Sequence, residues 1–256
     1  MRMSSTVAMF GLLAACLLPG CTGFEMRGYG GYTSTELSGN VGLAPTGNVT
    51  QPVNADVDSA FGLGDAEDSF YLRAEAALTF LRFTASAFQH NGTGNGTLNV
   101  NFGDLTIGTP VSSDLEMTSA KAALSFDILN LGVFRLSPGV AVDYIDMDTT
   151  VRATTVNAFE TVSVNAPVPM PFLQLEGDLG FVAATLEGGW IHLNLDDAGG
   201  TFFDIEGLLR VQPFRHVELF AGYRYISIDA DGDADGQDFR ADLVLQGWMV
   251  GGGITF

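Results

Sequence analysis

FRADLVLQGWMVGGGITF, Phe239–Phe256, is the stretch that decides the fold. Counting back by twos from the end gives Phe256, Ile254, Gly252, Val250 and Trp248, a face that is apolar or small; Thr255, Gly253, Gly251 and Met249 make the other. Successive side chains of a strand point to opposite sides of its sheet, so a period of two marks a β-strand. In the first half of the stretch the apolar set falls on odd numbers instead: Phe239, Ala241, Leu243 and Leu245. If one apolar face runs the whole length, the phase must slip near Gln246-Gly247. The sequence therefore predicts a bulge there, with Arg240 and Asp242 turned to the opposite face.

The pattern outward from this strand is the same. The 256 residues are 46% hydrophobic and carry a net charge of −19, with 11 basic residues. So acidic a chain lacks the basic patches that neutralise phosphate, which excludes nucleic acid as a partner. Beyond the N-terminus no apolar run approaches the ~18 residues of a membrane helix. The apolar residues are interleaved with polar ones. Val7–Leu18 is a short apolar core behind Arg2, and Leu18-Pro19-Gly20-Cys21 follows it. Residues 1–20 read as an export signal, to be excluded from the fold. Cys21 is a candidate lipidated first residue, with ordinary signal cleavage a few residues later as the alternative.

Taken in order, the mature chain gives ten strands, with eight or twelve if the first is absent or a loop hides a hairpin. Ser69–Phe80 alternates most clearly: Phe70, Leu72, Ala74, Ala76 and Leu78 oppose Tyr71, Arg73 and Glu75. Short turns are expected near Leu81, Leu129, Gly180 and Pro213, and long loops at 38–68, 91–113 and 149–167. Pro138 predicts a kink or bulge, because proline cannot donate to a ladder. Pro169 and Pro171 imply an irregular start to the strand that follows. Leu186 and the later Ile191, Leu193 and Leu195 are out of phase, which predicts a second bulge at Gly188-Gly189.

With its export signal with the lipobox-like LPGC, its alternating strands, its short turns facing longer acidic loops and its terminal Phe256, the chain resembles the bacterial outer-membrane β-barrel proteins. The resemblance is to the class, not to one characterised family. It implies an all-β, up-and-down antiparallel transmembrane barrel over residues 21–256, with both termini periplasmic. Outer-membrane lipid, lipopolysaccharide and the barrel-assembly machinery are the implied partners, and Phe256 resembles the signal that machinery reads. A lipid-anchored soluble β-barrel or sandwich binding a small ligand is the alternative.

In such a barrel the polar face lines the lumen. That set is Arg73, Glu75, Arg82, Lys121, Arg135, Asp143, Glu176, Glu187, Asp204, Glu206, Arg210, Glu218, Arg224, Arg240 and Asp242. Buried charges must be paired, so the expectation is a largely filled lumen serving a structural, surface or narrow-channel role. Asp231, Asp233, Asp235 and Gly236 match the opening of a calcium loop, with Asp242 at its twelfth position. The missing terminal Glu and flanking helices argue against an EF-hand. A loose divalent-cation site or a solvated acidic tip remains; no other cofactor is expected. Catalysis at the rim would fall to His192 with Asp196 or Asp197, since a general-base His needs a carboxylate partner. No recognisable hydrolase pattern surrounds them, and the chain is read as non-catalytic, with a rim-active hydrolase as the alternative.

Overall fold

The structure, a computed structural model, describes residues 24–46, 52–195, 198–234 and 237–256. The proposed signal and Cys21 lie outside them. Among the described residues there are twelve β segments: β1 (Phe24–Leu43), β2 (Ala55–Asp56), β3 (Glu67–Leu78), β4 (Leu81–Thr97), β5 (Pro110–Phe126), β6 (Leu129–Asn130), β7 (Phe134–Ala153), β8 (Phe159–Asp178), β9 (Val182–Leu195), β10 (Ala198–Phe214), β11 (Val217–Ala234) and β12 (Gln237–Thr255). Ten are long; β2 and β6 are two-residue additions to β1 and β7. Each long strand pairs antiparallel with its sequence neighbour, and β12 returns to β1 from Leu43↔Phe239 to Arg27↔Thr255, closing the ring. The last residue belongs to this closure: Phe256 and Met26 exchange backbone hydrogen bonds of 2.9 and 3.1 Å.

The end with the short turns, where β1 starts and β12 stops, is called the lower end here. In the lower half the outward side chains are apolar and exposed. Phe80, Phe126, Phe134, Phe181, Phe214 and Phe256 ring its rim, and Tyr32, Phe70, Tyr144, Trp190, Phe203 and Trp248 form a second girdle higher up. An apolar band between two aromatic girdles is the outer surface of a lipid-embedded barrel. The strands continue far above it. β1, β7 and β8 each have 20 residues. At ~3.3 Å per residue and a tilt of ~40°, that is roughly twice the ~25 Å height of such a band.

Above the upper girdle the polarity of both faces exchanges, and the side-chain alternation does not change. On β5, Ala120, Ala122, Leu124 and Phe126 point out below, against inward Ser119, Lys121 and Ser125; above, Ser112, Asp114 and Glu116 point out, against buried Val111, Leu115 and Met117. On β12 the odd residues Phe239 to Met249 are inward throughout, and Arg240 and Asp242 are outward and exposed. The register of β12 with β1 and β11 is unbroken, so the bulge expected at Gln246-Gly247 is not formed, and Arg240 and Asp242 leave the lumen set. Likewise β9 passes Gly188-Gly189 without a register shift. Both expectations assumed a single solvent along the outer face; the outside changes from lipid to water, and the inside from charged to apolar. At Pro138, β7 passes from pairing with β5 to pairing with β6 and the register steps by one residue, but the extra residue lies on the β5–β6 side and the ladder of β7 with β8 runs unbroken through Pro138, so the kink or bulge expected in that strand is not formed.

The long loops shrink accordingly. Residues 91–97, NGTGNGT, continue β4 with Gly92, Gly94 and Gly96 facing in. These glycines make room for a short helix, α1 (Val57–Phe61), dropped into the barrel mouth. A Cβ on Gly94 would lie 2.0 Å from the Gly62 carbonyl oxygen, and one on Gly96 would lie 2.1 Å from that of Ala60. Asp56 caps α1 by accepting the Ser59 N–H at 2.8 Å, and Phe61 meets Phe102 edge-on at 5.0 Å. Asn-Gly pairs that would suit turns are here the thin inner face of a strand.

Candidate functional site

Two zones of the interior carry candidate chemistry. The lower zone is an ion network joining seven cations and eight carboxylates. Arg73 is its hub, donating to Glu187 at 2.7 Å and to Glu206 and Glu75 at 2.6 Å. Lys121 lies 2.9 Å from Asp204 and 3.1 Å from Glu187. Arg224 donates to Asp204 and Asp143, both at 2.9 Å. Below these, Arg210, Arg82, Arg135 and Arg27 converge on Glu176. Tyr71 and Tyr29 donate to Glu206 and Glu218 at 2.6 Å. The side chains of Arg73, Glu187 and Glu206 have no exposed surface. Paired charge on the inner face of a narrow barrel fills it. The zone nearly balances itself, so almost all of the net charge of −19 sits elsewhere on the chain.

Thirteen of the fifteen expected lumen residues, Arg240 and Asp242 apart, point inward here. Glu25, Arg27, Tyr29 and Asp127 belong to the network as well and lie outside that expected set. Arg27 sits among the glycines of β1, where alternation is weak, and Asp127 lies just beyond the end of β5.

Above the network an apolar layer takes over within one side-chain step: on β10, Asp204 belongs to the network and Phe202, two residues on, to the layer above. The ring of Phe88 lies 5.0 Å from the Arg224 guanidinium, closing the network from above. His90 is fully buried beside it and shares a 2.9 Å hydrogen bond with Thr35. On the β1–β5 side, α1 and Phe102 fill the mouth. On the β7–β12 side a cavity of about 220 Å³ remains. Met147, Val164, Val168, Ile191, Phe202 and Phe239 line it, with Ala166, Ile228 and Leu243. A dry apolar cavity of roughly 150 Å³ suffices to hold benzene, so this chamber accepts something larger.

The rim candidates do not assemble. His192 points outward from β9, exposed, with its Nδ1 2.9 Å from the Thr201 hydroxyl. Asp196 and Asp197 lie outside the described residues, as does Asp235. Asp231 sits on β11 opposite Arg240, and Asp233 opposite Asp238, in a ladder that continues the hairpin in place of a ligand loop. No group of three His, Cys, Asp or Glu residues gathers as a metal site among the described residues.

No known protein-family model matches the chain, and neither does any curated protein. Solved structures do. The outer membrane protease OmpT from Escherichia coli superposes with a TM-score of 0.51 at 8% identity, over 91% of this chain and 96% of that one. The outer membrane protein OprG from Pseudomonas aeruginosa gives 0.43 at 11%, over 93% and 98%. Ail, the attachment invasion locus protein of Yersinia pestis, gives 0.39 at 11%, over 92% and 100%. At these identities the likeness concerns fold: the chain has the antiparallel up-and-down barrel of bacterial outer-membrane proteins.

Proposed function

We propose that the protein is a non-catalytic barrel of the bacterial outer membrane that binds an uncharged, hydrocarbon-like small molecule in a chamber held above the membrane surface. The observation that carries this is the apolar cavity of about 220 Å³ set on a floor of buried, paired charge. A filled, ion-paired lumen gives a solute no water path, so the reading is of a receptor and not a narrow channel. Both termini then lie in the periplasm, the strand ending on Phe256 is the one offered to the assembly machinery, and the acidic upper wall stands among the cation-bridged lipopolysaccharide headgroups.

The test uses the apolar fluorophore N-phenyl-1-naphthylamine with the folded protein in detergent. Saturable binding, competed by a linear alkane and weakened at least tenfold by Ala166→Trp, is the expected result. Ala166 lines the chamber, and an indole there would fill it. Absence of saturable binding to the wild type would overturn the reading. In planar bilayers the protein should give no stepwise conductance; regular steps would show that the charged zone is a pore.

A further inference from the structure

The chamber wall is interrupted on one side, and the sequence says why. On β8, the Asp178 N–H donates to the Val133 carbonyl and the Leu179 N–H to the Val182 carbonyl, both at 2.9 Å. Amide direction alternates along an extended strand, and the register of β8 with β7 is unbroken from Gly177 to Phe159. Even-numbered amides of β8 therefore face β7, and odd-numbered ones face β9. Pro167, Pro169 and Pro171 occupy three successive positions on the β9 side, and proline has no N–H to give. The β8–β9 ladder ends at Phe172↔Gly189, one residue below the first of these prolines. Above that point, among the described residues, β8 pairs only with β7 and β9 only with β10.

The seam opens on both sides of the wall. Inside, Val164, Ala166 and Val168 on one lip and Ile191 and Leu193 on the other belong to the chamber lining. Leu193 points inward and is still 43% exposed, because it looks onto open space. Outside, at the foot of the seam, Pro171, Leu173, Leu186, Trp190 and Ile205 line a second apolar hollow of about 390 Å³. Trp190 and Phe203 place that hollow at the upper aromatic girdle, where the lipid surface begins. An apolar inner chamber, an unzipped strand pair and an apolar lipid-side hollow thus meet at Phe172 and Gly189.

We infer that the proline-opened seam between β8 and β9 is a lateral doorway through which an uncharged, hydrocarbon-like molecule passes between the chamber and the outer lipid leaflet. The inference rests on the binding reading above, and the experiment separates the two. Asn165→Cys and His192→Cys, which leave all three prolines in place, would be combined in a chain without other cysteines. Both sites point outward across the seam, and neither lines the chamber. The folded protein, in dimyristoylphosphatidylcholine vesicles, would be bridged with a flexible bis-maleimide containing a reducible disulfide. Transfer of preloaded N-phenyl-1-naphthylamine into the lipid would then be followed by stopped flow. The expected result is a transfer rate lowered at least tenfold by the bridge, an affinity within about twofold of the unbridged protein, and full recovery on reduction. Retained affinity with an unchanged transfer rate would overturn the doorway and leave the chamber standing. Failure of the unbridged protein to bind the probe would overturn both.

Discussion

The lower and upper halves of the barrel share the same ten strands and one unbroken alternation, and they place opposite chemistry on each face. Below, Leu209 and Leu124 look out and Arg210 and Lys121 look in; above, Asp148 and Glu116 look out and Met147 and Leu115 look in. Which face is apolar follows from what lies outside the wall. Next to lipid the outer face must be apolar, and the interior can then hold charge only as a paired network. Next to water the outer face is polar, and the interior is held by ordinary hydrophobic burial. The halves should therefore fail differently when disturbed.

The largest difference is expected inside the lower half. Arg73→Met removes the cation shared by Glu187, Glu206 and Glu75. Taking one partner out of a buried ion-paired set costs about 3–5 kcal/mol, to be read as a shift of the urea unfolding midpoint in lipid vesicles. A loss under about 1 kcal/mol would mean that water enters the network, and that the floor of the chamber is not sealed. Outside, the contrast is between two arginines. Leu209→Arg sets a charge in the lipid-facing band and should cost about 2–4 kcal/mol. Glu116→Arg, on the outer face above the girdle, should stay within about 0.5 kcal/mol of wild type. Equal costs would abolish the division at the upper girdle.

That division explains how much of the molecule was legible in its sequence. Period-two alternation gave the ten strands and most of the lumen residues, because alternation survives whatever the solvent, while the barrel came from the resemblance to outer-membrane proteins. Alternation says which residues share a face, and it is silent on which face meets the core. Treating Phe239–Leu245 and Trp248–Ile254 as one outer face forced a bulge at Gln246-Gly247; in truth Phe239 and Trp248 point to opposite sides of one regular strand. The same assumption moved Arg240 and Asp242 inside and set a bulge at Gly188-Gly189. The signal that corrects it was present: Ser112, Asp114 and Glu116 share a face with Ala122 and Leu124, so the outer face itself changes polarity along β5. In the sequence, Pro167 ends a long loop, and Pro169 and Pro171 imply an irregular start to the strand at Phe172. Only the register shows that they sit inside a strand begun at Phe159, all on the edge toward β9.

A smaller effect separates the two sides of the upper half. On the β1–β5 side the mouth is filled by α1, whose backbone rests on Gly94 and Gly96. Gly94→Val would drive a branched side chain into the Gly62 carbonyl, which lies 2.0 Å from the position of its Cβ. Overpacking of this kind costs about 1–3 kcal/mol. The segment should lift while the barrel persists. Faster proteolysis of residues 52–66 on an otherwise intact barrel is the expected outcome; unchanged protection would show that α1 is held by its apolar side chains and not by close backbone approach.

The smallest effect concerns the cap of that helix, and its sign follows from the charge. The Asp56 carboxylate accepts both the N–H and the hydroxyl of Ser59 at 2.8 Å, and these bonds hold its pKa below the ordinary carboxylate range. A carboxyl group with a depressed folded-state pKa contributes its stability above its unfolded value, near 4, and loses it as the pH falls through the folded value. At neutral pH, Asp56→Ala should cost α1 about 1 kcal/mol, as loss of an N-cap does. The cost should vanish as the pH falls through the depressed folded-state value, where the wild-type cap is protonated as well. Hydrogen exchange at the Ser59 amide measures this directly: protection in the wild type should fall toward that of the variant across this range. Because the network below is sealed from water and the cap is not, arginine-hub variants such as Arg73→Met should show no matching change over the same interval. A parallel loss in both halves would mean that acid unfolds the whole barrel at once, and the two zones would then be one cooperative unit.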